Sequence, residues 1–253
     1  MITRTLFFGE GLFETIRWKP SEEKLKLHYR RLSTSAEFLG IPRPSYEEFL
    51  RDLQDMAKEG NDLYLKYVLF SKGGENLTDS AQSYGKLVVV KPLKPLPQRV
   101  RLCISPYRRH SSDPVCRHKT TSYLFNLLVK KHALSRGFWD AIILNEKGYI
   151  CETSTANLLF VKGSRLYTPA RGNGLLWGTA LEFLSRRLEV KEEYIKDPRN
   201  YNGIFVLNSL LLCAVVEEFE GEELRIDKEA FEEISCILRA CLLPPQGASP
   251  PDR

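Results

Sequence analysis

The sequence predicts an α+β protein in two sections, and three observations carry that reading. Short runs with apolar residues at every second position, the period of a half-buried strand, are punctuated by Pro, Gly and Asn. Between them lie stretches with apolar residues at three- and four-residue steps, the period of a helix, opened by serine and closed by glycine. KPLKPLPQ, residues 91–98, carries three prolines, which cannot donate ladder hydrogen bonds and favour extended chain. The expected division is a smaller N-terminal α/β domain at 1–92, a linker at 93–98 and a larger domain with mainly antiparallel strands at 99–243. A proline-rich, disordered tail follows at 244–253.

In chain order, LFETIR at 12–17 and residues 25–27 read as a short hairpin around Pro20 and Ser21. A helix follows over 27–39, with Leu32, Ala36 and Leu39 on one face and Gly40 as its stop. Ser45, with Glu48 completing a capping box, opens a second helix through Phe49, Leu53 and Met56 to Gly60. Strands resume at 63–71 and 86–91, separated by a polar, glycine-bearing loop at 72–85 that is long enough to reach over a site. In the second section 100–105 is a strand, 121–135 a helix, and 141–145 a strand that turns through 146–148 into a partner from Tyr149. Strands at 157–161, 165–168 and 203–208 and helices at 179–188 and 228–242 complete the pattern.

A chain of 253 residues with this balance of apolar and charged residues can bury a large core. No segment reaches the roughly 18 apolar residues of a membrane span, and the opening MITRTLFFGEG has too short an apolar run for a signal peptide, which implies a cytoplasmic protein without a membrane partner. The six cysteines form no CxxC pair and read as reduced, mostly buried thiols. The net charge of +5 is modest and gathers in local clusters without a basic stripe, so it fits a small anionic ligand and not nucleic acid. His28, His110, His118 and His132 lack HxH or HExxH spacing, so no metal is implied.

Candidate chemistry concentrates between residues 119 and 157. Lys119 precedes the predicted helix at 121, and a helix N-terminus disfavours an ammonium, which helps a lysine act as a neutral amine toward a carbonyl. Glu152 lies just past a strand and turn, before Thr153, Ser154, Thr155 and Asn157, whose hydroxyl, amide and backbone donors suit a phosphate. LLWGTA places Gly178, Thr179 and Ala180 at a helix start, where free N–H groups attract anions. HYRRL at 28–32 puts Arg31 on a helix, able to grip a phosphate with two parallel hydrogen bonds. Taken singly, each of these residues also fits a solvated surface.

Taken together and in this order, the segments resemble the class IV aminotransferase family of fold-type IV pyridoxal 5′-phosphate (PLP) enzymes, and the likeness runs from FGEGLFETIR at 8–17 to FVLNSLLLCAV at 205–215. The resemblance implies a two-domain fold like that of D-amino-acid aminotransferase, with the cofactor between the domains of a homodimer. It implies Lys119 as the Schiff-base lysine, Glu152 as partner of the pyridine nitrogen and Arg31 as phosphate ligand. Gly178, Thr179 and Ala180 would hold the phosphate through backbone, with Thr153 and Ser154 flanking the cofactor.

Within the family, FGEG with FET, the SPYR stretch at 105–108 and FVLNSLL at 205–211 are similar to aminodeoxychorismate lyase, which forms pyruvate and 4-aminobenzoate for folate biosynthesis. KGGENLTD stands where D-amino-acid transaminases carry an arginine and histidine carboxylate trap, and Phe8 or Phe13 replaces a transaminase tyrosine. The alternatives implied are a class IV aminotransferase acting on branched-chain or D-amino acids, and an inactive binding protein on the same fold. The substrate would be a small anionic amine, with Arg108 and Arg109 as candidates for its carboxylates.

Overall fold

The computed structural model describes residues 3–57 and 62–242. β1 (Gly11–Trp18), β2 (Leu63–Gly73) and β3 (Ala81–Pro92) form an antiparallel sheet in that order. The short helix α1 (Arg4–Phe8) precedes it, capped by Thr3 and closed by Gly9 at φ +66°. One face is covered by α2 (Glu22–Leu39) and α3 (Tyr46–Met56). Alternation along each strand decides what faces what. On β2, Leu65, Tyr67 and Leu69 pack against Leu32, Phe49 and Leu53 of the helices, while Tyr64 and Lys66 turn to the opposite face and line a cavity. On β1, Leu12, Glu14 and Ile16 take the helix side, and Phe13 and Thr15 the cavity side.

Several expectations for this half need correction. Residues 25–27 are helix, not a hairpin strand: Ser21 Oγ accepts from Lys24 N at 3.3 Å, and Glu22 and Glu23 occupy the first turn, where the helix dipole favours carboxylates. β1 pairs with β2 instead. The helix ends at Gly40 as expected, the glycine adopting φ +67°. Ser45 caps α3, but the Glu48 carboxylate reaches Tyr84 and Lys86 of β3 and leaves the capping box half-made. The expected end at Gly60 lies outside the described residues. Most of the loop expected at 72–85 is strand, and the turn that remains folds onto Arg4, whose Nη1 donates to the Gly74 and Asn76 carbonyls, both at 2.9 Å.

Residues 93–98 lead from β3 to the second sheet with no helix or strand of their own. That sheet contains β4 (Arg99–Ile104), β5 (Asp140–Leu144), β6 (Ile150–Thr153), β7 (Asn157–Lys162), β8 (Arg165–Pro169), β9 (Val190–Glu193), β10 (Gly203–Asn208), β11 (Leu212–Phe219) and β12 (Glu222–Glu223). The order is β6-β5-β4-β11-β10-β7-β8-β9, with β12 beside β11. The β4–β11, β4–β5 and β8–β9 pairs are parallel and the others antiparallel.

Both faces of this sheet are buried. Leu159, Val161, Phe205 and Leu207 meet α5 (Thr179–Ser185) and α6 (Lys228–Arg239), while Leu158, Phe160, Ile204 and Val206 build a second core on the other side. α4 (Leu124–Ser135) covers β4 and β5 through Val129 and Ala133. Leu27 of α2 enters the core beneath α5 and α6, so the two sheets share packing. Helices expected at 121–135, 179–188 and 228–242 are each shorter than their periodic runs, and α1, β9, β11 and β12 had no counterpart in the sequence reading. All six cysteines are free; Cys236 is exposed, Cys116 half-buried and the rest buried. Among the described residues, no helix is long and apolar enough to cross a membrane.

Leu65, fully buried in the middle of the first core, should be costly to truncate. Leu65→Ala is expected to lower unfolding stability by about 2–5 kcal/mol, whereas Leu77→Ala on the exposed β2–β3 turn should stay within about 0.5 kcal/mol. Urea denaturation of the two variants measures both.

Candidate active site

A cavity of about 460 Å³ opens between the two sheets, walled by β1 and β2 on one side and by segments around Lys119, Glu152, Gly178 and Asn208 on the other. Lys119 is not at a helix start. It sits in extended chain stitched to the free edge of β1, its carbonyl accepting from Phe13 N at 2.9 Å while Thr121 N donates to Gly11 O at 2.9 Å. α4 begins only at Leu124. Its Nζ lies 4.4 Å from the Phe13 ring centre and 5.5 Å from that of Tyr123. Burial, reinforced by the Arg31 charge, brings the amine down from 10.5 to about 8, with Glu14 and Glu152 opposing. The chemical consequence expected of a helix terminus therefore arises from desolvation.

Glu152 faces the cavity from β6 and is ion-paired with Arg109 Nη1. Asn157 bridges it to the helix α5 entrance: its Nδ2 lies 3.4 Å from Glu152 Oε2, and its Oδ1 accepts from Gly178 N at 3.0 Å. Burial pushes the Glu152 carboxyl upward, and Arg109 opposes that shift through its charge and hydrogen bond. Arg109 is further engaged with the Gly174 carbonyl at 3.3 Å and lies over the Phe125 ring, so its guanidinium is committed to the protein. That corrects its expected place as a substrate ligand. Arg108 is exposed at the cavity wall, with Nη1 donating to Asn145 O at 3.0 Å and its other donors available.

Arg31 projects from α2 to the cavity and is held by Glu14, with Nε on Oε1 at 2.8 Å and Nη2 on Oε2 at 2.6 Å. Burial works against ionisation of Glu14, but the Arg31 charge and the hydrogen bonds from His28 and Arg31 outweigh it and hold the carboxyl at about 2.

The remaining candidates divide. Ser154 lines the cavity, and its buried Oγ has no hydrogen-bond partner. Thr153 does not line it, because its Oγ1 closes a turn with Ala156, donating to the carbonyl at 3.1 Å and accepting from the N–H at 3.0 Å. Gly178 and Thr179 line the wall, and only glycine fits at 178, since a Cβ there would fall 2.1 Å from Asn157 Oδ1. Ala180 faces the core beneath α5 and can offer the cavity no side chain. The sequence reading missed Phe13, Lys66, Tyr123 and Ser209, all of which line the cavity. Strand alternation carried a signal for Phe13, which must face away from its neighbour Glu14; nothing local marks Tyr123 or Ser209.

A lowered lysine, a paired buried carboxylate and a cationic wall of Arg31, Lys66 and Arg108 form one site from distant parts of the chain. The family model for class IV aminotransferases matches residues 11–219. The "Probable branched-chain-amino-acid aminotransferase" of Rickettsia typhi is 32% identical over 227 residues, 83% of this chain and 78% of that protein. The aminodeoxychorismate lyase of Vibrio harveyi is 25% identical over 240 residues, 88% of each. The crystal structure of a "Putative 4-amino-4-deoxychorismate lyase" from Legionella pneumophila superposes with a TM-score of 0.87 at 25% identity, covering 94% of each chain. A Brucella abortus aminotransferase bound to PLP shares the fold, with a TM-score of 0.81 at 19% identity over 93% of this chain and 90% of that one. Because the matched residues span both sheets and the whole cavity wall, the chain belongs to the class IV aminotransferase family and has the architecture of its fold-type IV members.

Proposed function

We propose that this protein is a PLP-dependent lyase that splits 4-amino-4-deoxychorismate into pyruvate and 4-aminobenzoate. The observation that carries the cofactor is Lys119, an amine lowered to about 8 inside a cavity that also holds a buried carboxylate and a cationic wall. The residues suit PLP throughout. Arg31 and the hydroxyls of Thr179 and Ser209 fit its phosphate, Glu152 fits a protonated ring nitrogen, and Ser154 Oγ is a buried donor without an acceptor. When bound, PLP supplies an aldehyde that captures amines and a ring that withdraws electrons from the carbon carrying the captured amine.

The protein's own groups do the rest. The backbone pairing with β1 fixes Lys119 so that only its side chain must move. When the substrate amine has taken its place, Lys119 is a neutral amine able to remove the proton from the amine-bearing carbon. The electron pair left behind forms a ring double bond as the neighbouring C–O bond to the enolpyruvyl group breaks. The ring becomes aromatic, and the departing enolpyruvate takes up a proton to become pyruvate. Arg109 and Asn157 keep Glu152 aimed into the cavity, while Lys66 and Arg108 suit the two substrate carboxylates.

The lyase reading is supported by the likeness to the Vibrio enzyme over 88% of both chains and by two spare cations for a dicarboxylate. A second reading, amino transfer from branched-chain amino acids, is favoured by the 32% identity to the Rickettsia protein. It uses the same residues, with Lys119 returning its proton to a different carbon. A D-amino-acid transaminase is less well supported, because the β2–β3 turn packs on Arg4, away from the cavity. A non-catalytic binding protein has no use for a lysine desolvated beside a carboxylate. The proposal includes a cytoplasmic homodimer, with Leu6, Phe7, Leu87 and Leu124 as exposed apolar surface; a monomer in sedimentation would remove that part.

Three outcomes test the reading. The purified protein should carry a visible absorbance band that Lys119→Ala lacks, and a colourless protein that cannot be reconstituted with PLP would sink the cofactor assignment. Capture of PLP by the cofactor-free chain should accelerate as pH rises toward 8 and level off above it, because raising pH through the lowered value frees the amine; a rate still climbing toward 10.5 would exclude Lys119 as that amine. Aminodeoxychorismate should yield equal amounts of 4-aminobenzoate and pyruvate, whereas turnover of leucine with 2-oxoglutarate and none of aminodeoxychorismate would select the transaminase reading.

A further inference from the structure

Behind the cationic end of the cavity lies a polar network that the proposed reaction does not use. His28, on α2 and 1% exposed, approaches Glu14 Oε2 through Nδ1 at 2.7 Å. On its other side, Nε2 stands 3.4 Å from both Thr179 Oγ1 and Ser209 Oγ, and those two hydroxyls are 2.8 Å apart. The same Glu14 carboxylate binds Arg31 through both oxygens. One buried carboxylate and one imidazole therefore connect a cation from the first half of the chain to two hydroxyls from the second.

We propose that His28 is a positioning residue for the phosphate end of the site: as a neutral imidazole with its proton fixed on Nδ1, it takes one proton of the Thr179–Ser209 hydroxyl pair and so sets which O–H points at the bound anion. The proposal rests on the cofactor reading above.

The direction of the chain of hydrogen bonds follows from proton counting. Glu14 is ionised and can only accept, so the Nδ1 that meets it must carry a hydrogen. Burial, against the opposing pull of Glu14, drives the imidazole down to about 4, so near neutrality it holds a single proton. Nε2 is then a bare lone pair, and the only donors beside it here are the two hydroxyls. One hydroxyl proton goes to Nε2. The other can go to the neighbouring hydroxyl oxygen or to an anion in the cavity, which Thr179 and Ser209 both line. Removing His28 frees both hydroxyls to rotate and strips Glu14 of its second partner, loosening Arg31 as well. The loss should therefore fall on ligands that carry a phosphate.

The test compares PLP with pyridoxal, which has the same aldehyde and ring but no phosphate, by calorimetric titration of the full-length cofactor-free chain. His28→Phe, which fills the space without polar atoms, should weaken PLP about tenfold and leave pyridoxal within about twofold. His28→Gln, which keeps one donor and one acceptor, should recover part of the loss. An equal loss for both ligands, or no loss, would overturn the positioning role while leaving the cofactor reading intact. A native chain that binds neither ligand would overturn both.

Should the phenylalanine variant not fold, nitrogen NMR of the native chain with labelled histidine decides. An Nδ1–H tautomer at neutral pH whose Nε2 signal moves on adding PLP, and not on adding pyridoxal, supports the role. An Nε2–H tautomer or a doubly protonated ring removes it.

Discussion

A buried carboxylate must be partnered on both oxygens or it will not stay ionised, and Glu14 meets that demand in a way that organises the whole site. It sits in the interior of the first sheet, fully buried, and its charge survives because Arg31 and His28 both reach it from α2. Each partner is thereby fixed. The guanidinium is held at the cavity wall, and the imidazole is held with its second nitrogen against Thr179 and Ser209. Strand alternation sends Phe13 and Thr15 to the cavity because it sends Glu14 to the helix, so one residue pitch of β1 divides support from lining.

The free edge of β1 supplies the second constraint. An unpaired strand edge exposes N–H and C=O groups that must find partners, and here residues 119–121 of the second half of the chain provide them. Lys119 is consequently placed by main-chain hydrogen bonds, which leave its side chain free to change partners. The aromatic rings of Phe13 and Tyr123 then surround the amine with surface that does not hydrate it. A lysine with a fixed backbone, a mobile tip and a weakened hold on its proton combines nucleophile and base in one group.

The legible parts of this molecule were those with local chemistry. Gly40 ends α2 because a left-handed residue was needed there, and Ser45 starts α3 because a hydroxyl caps it. Lys119, Glu152 and Arg31 were found through a resemblance spanning the chain, and the structure brings all three to one cavity. What escaped was set by distant packing. β11 loses its alternation because the second sheet is covered on both faces, and a run such as LLLCAVV then carries no period to read. Thr153 and Ala180 stood inside the right motifs but were claimed by a turn and a core, which only their neighbours in space reveal. Arg109 was read as a substrate ligand from its charge, and its actual partner lies across the sheet on β6.

Choosing between elimination and amino transfer at this site comes down to what happens after Lys119 has taken a proton. If a leaving group stands on the neighbouring carbon, the electron pair expels it, and aromatisation makes that step irreversible. Without one, the pair stays in the conjugated system until the lysine returns its proton elsewhere. Arg31, Glu152 and Lys119 serve both courses equally, so the decision falls to the groups that orient the substrate's far end. Those on this cavity wall are Lys66 beside Phe13 and the exposed Arg108, cations separated from the Glu14 and Glu152 networks. A branched aliphatic side chain gains nothing from two spare cations, and burying it beside them would cost desolvation. A ring substituted with two carboxylates gains from both, and the same charges hold the enolpyruvyl oxygen next to the carbon that Lys119 deprotonates.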